Sequence, residues 1–334
     1  MTTYLLAFAV ALISALAATP VARRVAIRFG VMDSPSERKV HRDPVPYLGG
    51  LAIVVAFAIS MIGGALVRNV FTESFLQIAV LLGGGLFLAF IGLWDDLRVV
   101  PGWIKVPVEL GLGALLYFAG VRAELFGVMP IDLVITMAWV IGVTNAVNYM
   151  DNMDGLTAGV VAIASTYFAV LAALSGQLLV GSLSAAIAGC AIGFLWHNRP
   201  PARIFMGDAG SLFLGFLLSG LGLHLRFFNI ARVTFFVPVA ILAVPILDAL
   251  MVSVSRAMRG LSPIRPGKDH LSHRLVNIGI PSKAAVGLIY FAAAACGWLG
   301  VVIAYAQPLT AYMLMGWLVV LGGFVGVLLL RVKV

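Results

Sequence analysis

Charge is what this 334-residue chain has least of, with Asp, Glu, Lys and Arg together making up 11% of it. A soluble domain carries about 25%. A surface this poor in charge cannot stay wet, and disorder, which needs high charge and few apolar groups, is excluded as well. Cysteine is almost missing: Cys190 and Cys296 stand far apart in apolar runs, as packed thiols rather than a bridge or a metal site. Acidic residues are scarcer than basic ones, 14 against 22, giving a net charge of +8. What is abundant is hydrocarbon, with 62% hydrophobic residues and a mean hydropathy of +1.07. The composition predicts an all-α polytopic membrane protein forming one integral domain over 1–334.

A membrane-crossing helix needs about 20 apolar residues. Eleven segments qualify, at roughly 3–22, 47–67, 75–93, 104–120, 130–147, 157–174, 179–195, 211–226, 234–253, 285–305 and 309–330. Several are glycine-rich, as at Gly83-Gly84-Gly85, which suits close helix packing in lipid. Ala15-Leu16-Ala17 resembles a signal cleavage site, but Arg23, Arg24 and Arg28 follow the first segment and no basic residue precedes it. That polarity predicts a retained helix. Eleven spans place eighteen of the 22 basic residues in one set of alternating loops. Only Arg68, Arg122, Arg226 and Arg232 fall in the other. The positive-inside rule then sets the N-terminus outside and the C-terminus in the cytoplasm. It also accounts for the basic excess without nucleic acid. The cytoplasmic loops, about 23–46, 94–103, 148–156, 196–210 and 254–284, are the long, chemically rich ones.

Those loops hold Asp33, Glu37, Asp43, Asp95, Asp96, Asp151, Asp154, Asp208 and Asp269. Asp248 and Glu109 lie inside spans near the same side. Asp95 and Asp96 end a span side by side. A metal or a shared proton would relieve their repulsion, and the divergence of about 100° between neighbouring helical residues gives them different tasks. Asn145, Asn148 and Asp151 recur every three residues, a polar stripe that is expensive in a membrane helix unless it lines a wet cavity. Gly207-Asp208-Ala209-Gly210-Ser211 lets backbone approach a ligand, with Ser211 able to start the next helix. The loop 254–284 carries Arg256, Arg259, Arg265, Lys268, His270, His273 and Arg274. Histidines three apart among arginines fit phosphate recognition better than metal binding. Carboxylates suited to Mg²⁺ beside cations suited to phosphate point to phosphoryl transfer at the membrane surface.

Five segments in order carry a resemblance over nearly the whole chain. They are Arg38-Lys39-Val40-His41 leading to Pro46-Tyr47-Leu48-Gly49-Gly50, the Asp95-Asp96 pair, Asn145 to Gly155, Phe205 to Ser211, and His270-Leu271-Ser272-His273-Arg274. The sequence resembles the polyprenyl-phosphate N-acetylhexosamine-1-phosphate transferases, the WecA/MraY/TagO family, and looks closest to the WecA-like branch. The resemblance implies a ten- or eleven-helix enzyme of the bacterial inner (plasma) membrane, often a homodimer, with its active site on the cytoplasmic face. It would move a HexNAc-1-phosphate, GlcNAc-1-phosphate by family frequency, from a UDP-N-acetylhexosamine to undecaprenyl or another polyprenyl phosphate, releasing UMP. That is a first membrane step of cell-envelope polysaccharide synthesis.

Carried over residue by residue, Asp95 is the candidate base, and Asp96 and Asp208 hold Mg²⁺, with Mn²⁺ as the alternative. Asn148, Asp151 and Asp154 lie near nucleotide and metal. Phe205 stacks on uracil, Lys39 and Arg42 contact the nucleotide, and His270 and His273 belong to the histidine motif, with Arg265 beside it. The chain departs from the family at Val99, where a third acid is usual, and at Ser272, where a middle histidine is usual. The MraY-type run of three histidines is absent, which argues against a muramoyl-pentapeptide substrate.

Two rival readings remain. Asp151, Asp154, Gly155 and Ala158 open the CDP-alcohol phosphotransferase pattern, but Gly159 stands where that family needs Arg. A secondary transporter would place acids at mid-membrane, where only Asp248 and Glu109 are candidates.

Overall fold

The structure, a computed structural model, describes residues 2–33, 44–67, 75–227, 231–262 and 267–332. Lys39, Arg42 and Arg265, three of the expected contacts, lie outside the described residues. Within them the chain forms thirteen helices and a two-stranded antiparallel ribbon, β1 (Met32–Asp33) with β2 (Val45–Pro46), in which Met32 pairs with Pro46. The helices are α1 (Thr2–Phe29), α2 (Gly49–Val67), α3 (Phe75–Leu97), α4 (Gly102–Phe118), α5 (Met129–Tyr149), α6 (Leu156–Leu174) and α7 (Leu178–Asn198). After them come α8 (Gly207–His224), α9 (Ala231–Ile241), α10 (Ala243–Met258), α11 (Leu271–Asn277), α12 (Ser282–Tyr305) and α13 (Pro308–Leu330). The all-α polytopic class is the one expected.

Helix boundaries follow the punctuation of the sequence. Proline opens α5 and α13, where its missing N–H is no loss. Gly30, Gly120 and Gly176, all at positive φ, close α1, α4 and α6. Each of the eleven apolar segments is helical. Seven helices (α1, α3, α5, α6, α7, α12 and α13) are long and apolar enough to cross a bilayer alone. Of the others, α2 is apolar over Gly49–Gly64, α4 has 17 residues, and α8 carries Asp208 in its first turn and His224 in its last.

The segment 234–253, expected as one span, is two helices bent by 77°. The cause is Pro245. Its ring would collide with the carbonyl four residues back, at Ile241, and it has no N–H to bond there. The helix α9 ends at Ile241 and α10 begins at Ala243.

At the centre stands α8, buried on every side from Ala209 to Leu223. Lipid removes the usual hydrophobic drive between helices, so close backbone approach must supply the packing. Two glycines show it. A Cβ on Gly50 of α2 would overlap the Gly210 backbone, and one on Gly92 of α3 would overlap the carbonyl of Asp208. The start of α8 is therefore clamped between α2 and α3.

Connecting loops collect at two ends of the bundle. At one end Gly49 N–H donates to Phe205 O (2.9 Å), Phe205 N–H to Pro46 O (2.8 Å) and Gly155 N–H to Asn198 Oδ1 (2.9 Å). At the other, Arg226 N–H donates to Gln177 Oε1 (3.0 Å) and Arg232 Nε to Leu125 O (3.0 Å). All the acid-bearing motifs lie at the first end. The thiols of Cys190 and Cys296 are free.

Candidate active site

The two neighbouring acids at the end of α3 have separate partners. Asp96 turns to the start of α8, where its two oxygens accept the N–H groups of Asp208 (2.8 Å) and Ala209 (3.1 Å). A carboxylate there complements the positive end of the helix dipole. Asp95 accepts the Val100 amide and pairs with Lys105 Nζ at 2.6 Å. The same ammonium reaches Asp208 Oδ2 at 3.3 Å. Asp95 and Asp208 thus share the Lys105 ammonium, while Asp96, expected with Asp208 at the metal, bonds the backbone that carries Asp208.

The polar stripe on α5 divides the same way. Asn148 Nδ2 donates to Asp208 Oδ1 (3.0 Å) and to Ser211 Oγ (2.9 Å), so α5 holds the far side of the Asp208 carboxylate. Ser211 does not start α8 as expected; it lies one turn inside and donates back to Gly207 O (3.0 Å). Asn145 donates instead to Glu109, a buried acid of α4. Asp151 lies just past the end of α5, in the turn before α6. Burial, then the charge of Asp208, pushes its carboxyl up to about 7. Asp154 accepts the Ala202 amide (2.9 Å) and fixes the loop that follows α7. Phe205 places its ring edge-on to Tyr47, with 6.5 Å between centroids.

In the loop before α11, burial alone would raise the Asp269 carboxyl. Arg256, bidentate at 3.0 and 2.9 Å, holds it below the usual carboxylate range instead, and Arg259 meets the same carboxylate at 2.8 Å. His270 meets Asp248 of α10 through Nδ1 at 2.9 Å. His273 is buried behind it, and burial, aided by His270 and Lys268, holds its imidazole down at about 4. The two motif histidines are not equivalent: His270 lines the cavity and His273 does not. Ser272, in the place of the usual middle histidine, donates to Asn152 Oδ1 (2.6 Å) and ties α11 to the α5–α6 turn.

These elements surround a cavity of about 750 Å³. Asp95, Lys105, Asn148, Asp208, Arg256 and His270 line it. Its remaining wall is largely apolar, with Val106, Val143, Val239, Ile246 and Leu250 contributed by α4, α5 and both arms of the bent α9–α10 pair. One hollow thus joins a charged region to a greasy one. Asp96, Asp151, Asp154, Phe205 and His273 are not among its lining residues. Lys105 carries no motif, but a lysine inside an apolar stretch, ten residues past an acid pair, is itself a signal of function.

A model of glycosyl transferase family 4 matches residues 78–226, a stretch that runs from Asp95 to Asp208. A probable undecaprenyl-phosphate N-acetylglucosaminyl 1-phosphate transferase of Bacillus subtilis is 33% identical over 293 residues, 85% of this chain and 80% of that protein. The chain belongs to glycosyl transferase family 4. Among other members, a decaprenyl-phosphate N-acetylglucosaminephosphotransferase of Mycolicibacterium smegmatis is 34% identical over 85% of this chain and 77% of its own. An undecaprenyl-phosphate alpha-N-acetylglucosaminyl 1-phosphate transferase of Yersinia pestis is 28% identical over 84% and 79%.

Among the described residues no three His, Cys, Asp or Glu side chains are grouped to enclose a metal ion. The Asp95–Asp208 pair nevertheless suits Mg²⁺. That ion prefers one or two carboxylates with substrate phosphates and water completing its shell.

Proposed function

We propose that this family member transfers N-acetylglucosamine 1-phosphate from UDP-N-acetylglucosamine to a polyprenyl phosphate, releasing UMP, in the bacterial inner membrane with the cavity open to the cytoplasm. One observation carries the reading: the Asp95–Lys105–Asp208 cluster lies in the same hollow as an apolar wall, so a phosphate head and a prenyl chain can be bound together. The relatives, named for this transfer to undecaprenyl or decaprenyl phosphate, support it.

The reaction is an in-line displacement. An oxygen of the lipid phosphate attacks the β-phosphorus of the UDP-sugar, the bond to the bridging oxygen breaks, and UMP leaves with that electron pair. Such transfers are catalysed chiefly by positioning and charge. A phosphate monoester is already ionised near pH 7, so Asp95, expected as a base, serves better as a charged post. Asp95 and Asp208 would hold Mg²⁺, and Asn148 keeps Asp208 oriented. When bound, the ion neutralises the diphosphate oxygens. Lys105 offers its ammonium to a phosphate oxygen, while Arg256, held by Asp269, presents a donor along the cavity and His270 lines it beside them. The apolar wall excludes water from the prenyl phosphate. Asp96 keeps the start of α8, and with it Asp208, in place.

The test is release of UMP from UDP-GlcNAc by protein purified in detergent. Release requiring both Mg²⁺ and polyprenyl phosphate is expected. Release without lipid, or none with both present, overturns the reading. A panel of UDP-N-acetylhexosamines identifies the sugar, and absence of labelled enzyme after UDP-sugar alone confirms the single displacement over an aspartyl-phosphate.

A further inference from the structure

Asp248 is a buried acid that the reaction above does not use. It sits on α10, six residues past the break at Leu242, and is 2% exposed. Its Oδ1 accepts the Leu271 amide at the start of α11, and its Oδ2 lies 2.9 Å from His270 Nδ1. An ionised carboxylate only accepts hydrogen bonds. The imidazole proton therefore sits on Nδ1, and Nε2 is the ring nitrogen left for a ligand. His270 lines the cavity together with Arg256 and Asp208. Tyr149 and His273 stand edge-on to the same imidazole, with centroids 6.4 and 6.3 Å away, and limit its rotation.

We propose that Asp248 is a positioning residue for His270, fixing the ring's tautomer so that Nε2 stands in the cavity as an acceptor for a hydroxyl or amide N–H of the UDP-sugar. The proposal rests on the phosphoryl-transfer reading of that cavity. Asp248 acts through the imidazole and touches no reacting atom. An Asn at this position keeps the shape but turns one acceptor into NH₂. Facing Nδ1, that group forces the ring proton onto Nε2 and reverses what the cavity meets.

A double-mutant cycle in kcat separates this role from simple capping of α11. Asp248→Asn is expected to lower kcat about ten- to a hundredfold, with a smaller change in KM for the UDP-sugar. In the His270→Gln background the same substitution is expected to cost nothing further. Equal losses in both backgrounds overturn the proposal. Histidine-selective ¹⁵N NMR, with the signal assigned by its loss in His270→Gln, reads the tautomer directly and needs no turnover. Protonation at Nδ1 in the wild type, moving to Nε2 in Asp248→Asn, is the expected result. An Nε2-protonated ring in the wild type overturns the proposal even if the variant fails to fold. A wild-type protein that releases no UMP sinks the transferase reading and leaves this tautomer test intact.

Discussion

Lys105 occupies the position between Asp95 and Asp208 that a divalent ion would share. Replacing it with alanine removes a donor from the developing phosphate charge, and one such preorganised donor is worth about 10²–10³ in kcat. Lys105→Ala should therefore lose about that factor in UMP release. It also leaves two carboxylates facing each other without a cation. Added Mg²⁺ should then raise its thermal unfolding midpoint by more than it raises that of the wild type, because no ammonium competes. An equal Mg²⁺ shift would place the ion elsewhere. Asp208→Asn should abolish turnover with an intact fold and shrink the Mg²⁺ shift; retained activity removes Asp208 from the site. His273 makes the pH prediction. Burial, reinforced by His270 and Lys268 and opposed by Asp248 and Asp269, brings its imidazole down to about 4 in the folded protein, against about 6.5 when unfolded. The unfolded chain binds the extra proton first, so stability is lost as pH falls from about 6.5 to 4, by up to roughly 3 kcal/mol. His273→Gln should flatten that fall in a thermal unfolding series. At this scale the sequence exposed the motif acids, because intramembrane carboxylates and amides are costly. It did not show what Lys105 and Asp248 touch, because their partners lie on other segments and leave no spacing to read.

Helix positions were legible from hydrocarbon length alone, since all eleven apolar segments became helices. The break at Pro245 was equally present in the sequence but outweighed by the length of its apolar run. What no run of letters shows is which glycine a neighbour covers. On α3, Gly83 faces open space, whereas Gly92 faces the Asp208 carbonyl. Gly83→Ala should stabilise α3, by up to about 1 kcal/mol from helix propensity. Gly92→Ala, made on the same helix with the same gain available, should instead lose about 1–3 kcal/mol through overpacking. It should also reduce activity, because the strain falls on the residue that carries the Asp208 carboxylate. Thermal unfolding and UMP release measured on both variants check the contrast. Similar behaviour of the two would mean that α3 and α8 do not meet as closely as the structure has them.

For the whole molecule, two independent features agree on which loops belong together. The positive-inside count groups the loops by charge, and the hydrogen bonds among Pro46, Gly49, Phe205, Asp96 and Asp208 join three of them, about 23–46, 94–103 and 196–210, by contact. Charge patterning could assign a side to each loop because hydrocarbon length fixes the alternation. It could not show the loops touching, since their bonds run largely through backbone. Orientation itself is testable on one helix. The 24 residues of α12 run from Ser282 to Tyr305, a rise of about 36 Å at 1.5 Å per residue, so Lys283 and Gln307 flank opposite faces of the bilayer, and both are exposed. With Cys190 and Cys296 replaced by alanine, Gln307→Cys should react with an impermeant maleimide in intact cells. Lys283→Cys should react only after the membrane is opened. The reverse result would turn the Asp95–Lys105–Asp208 cluster away from the cytoplasm. A nucleotide-sugar donor made inside the cell could not then reach it, and the transferase reading would fall with the orientation.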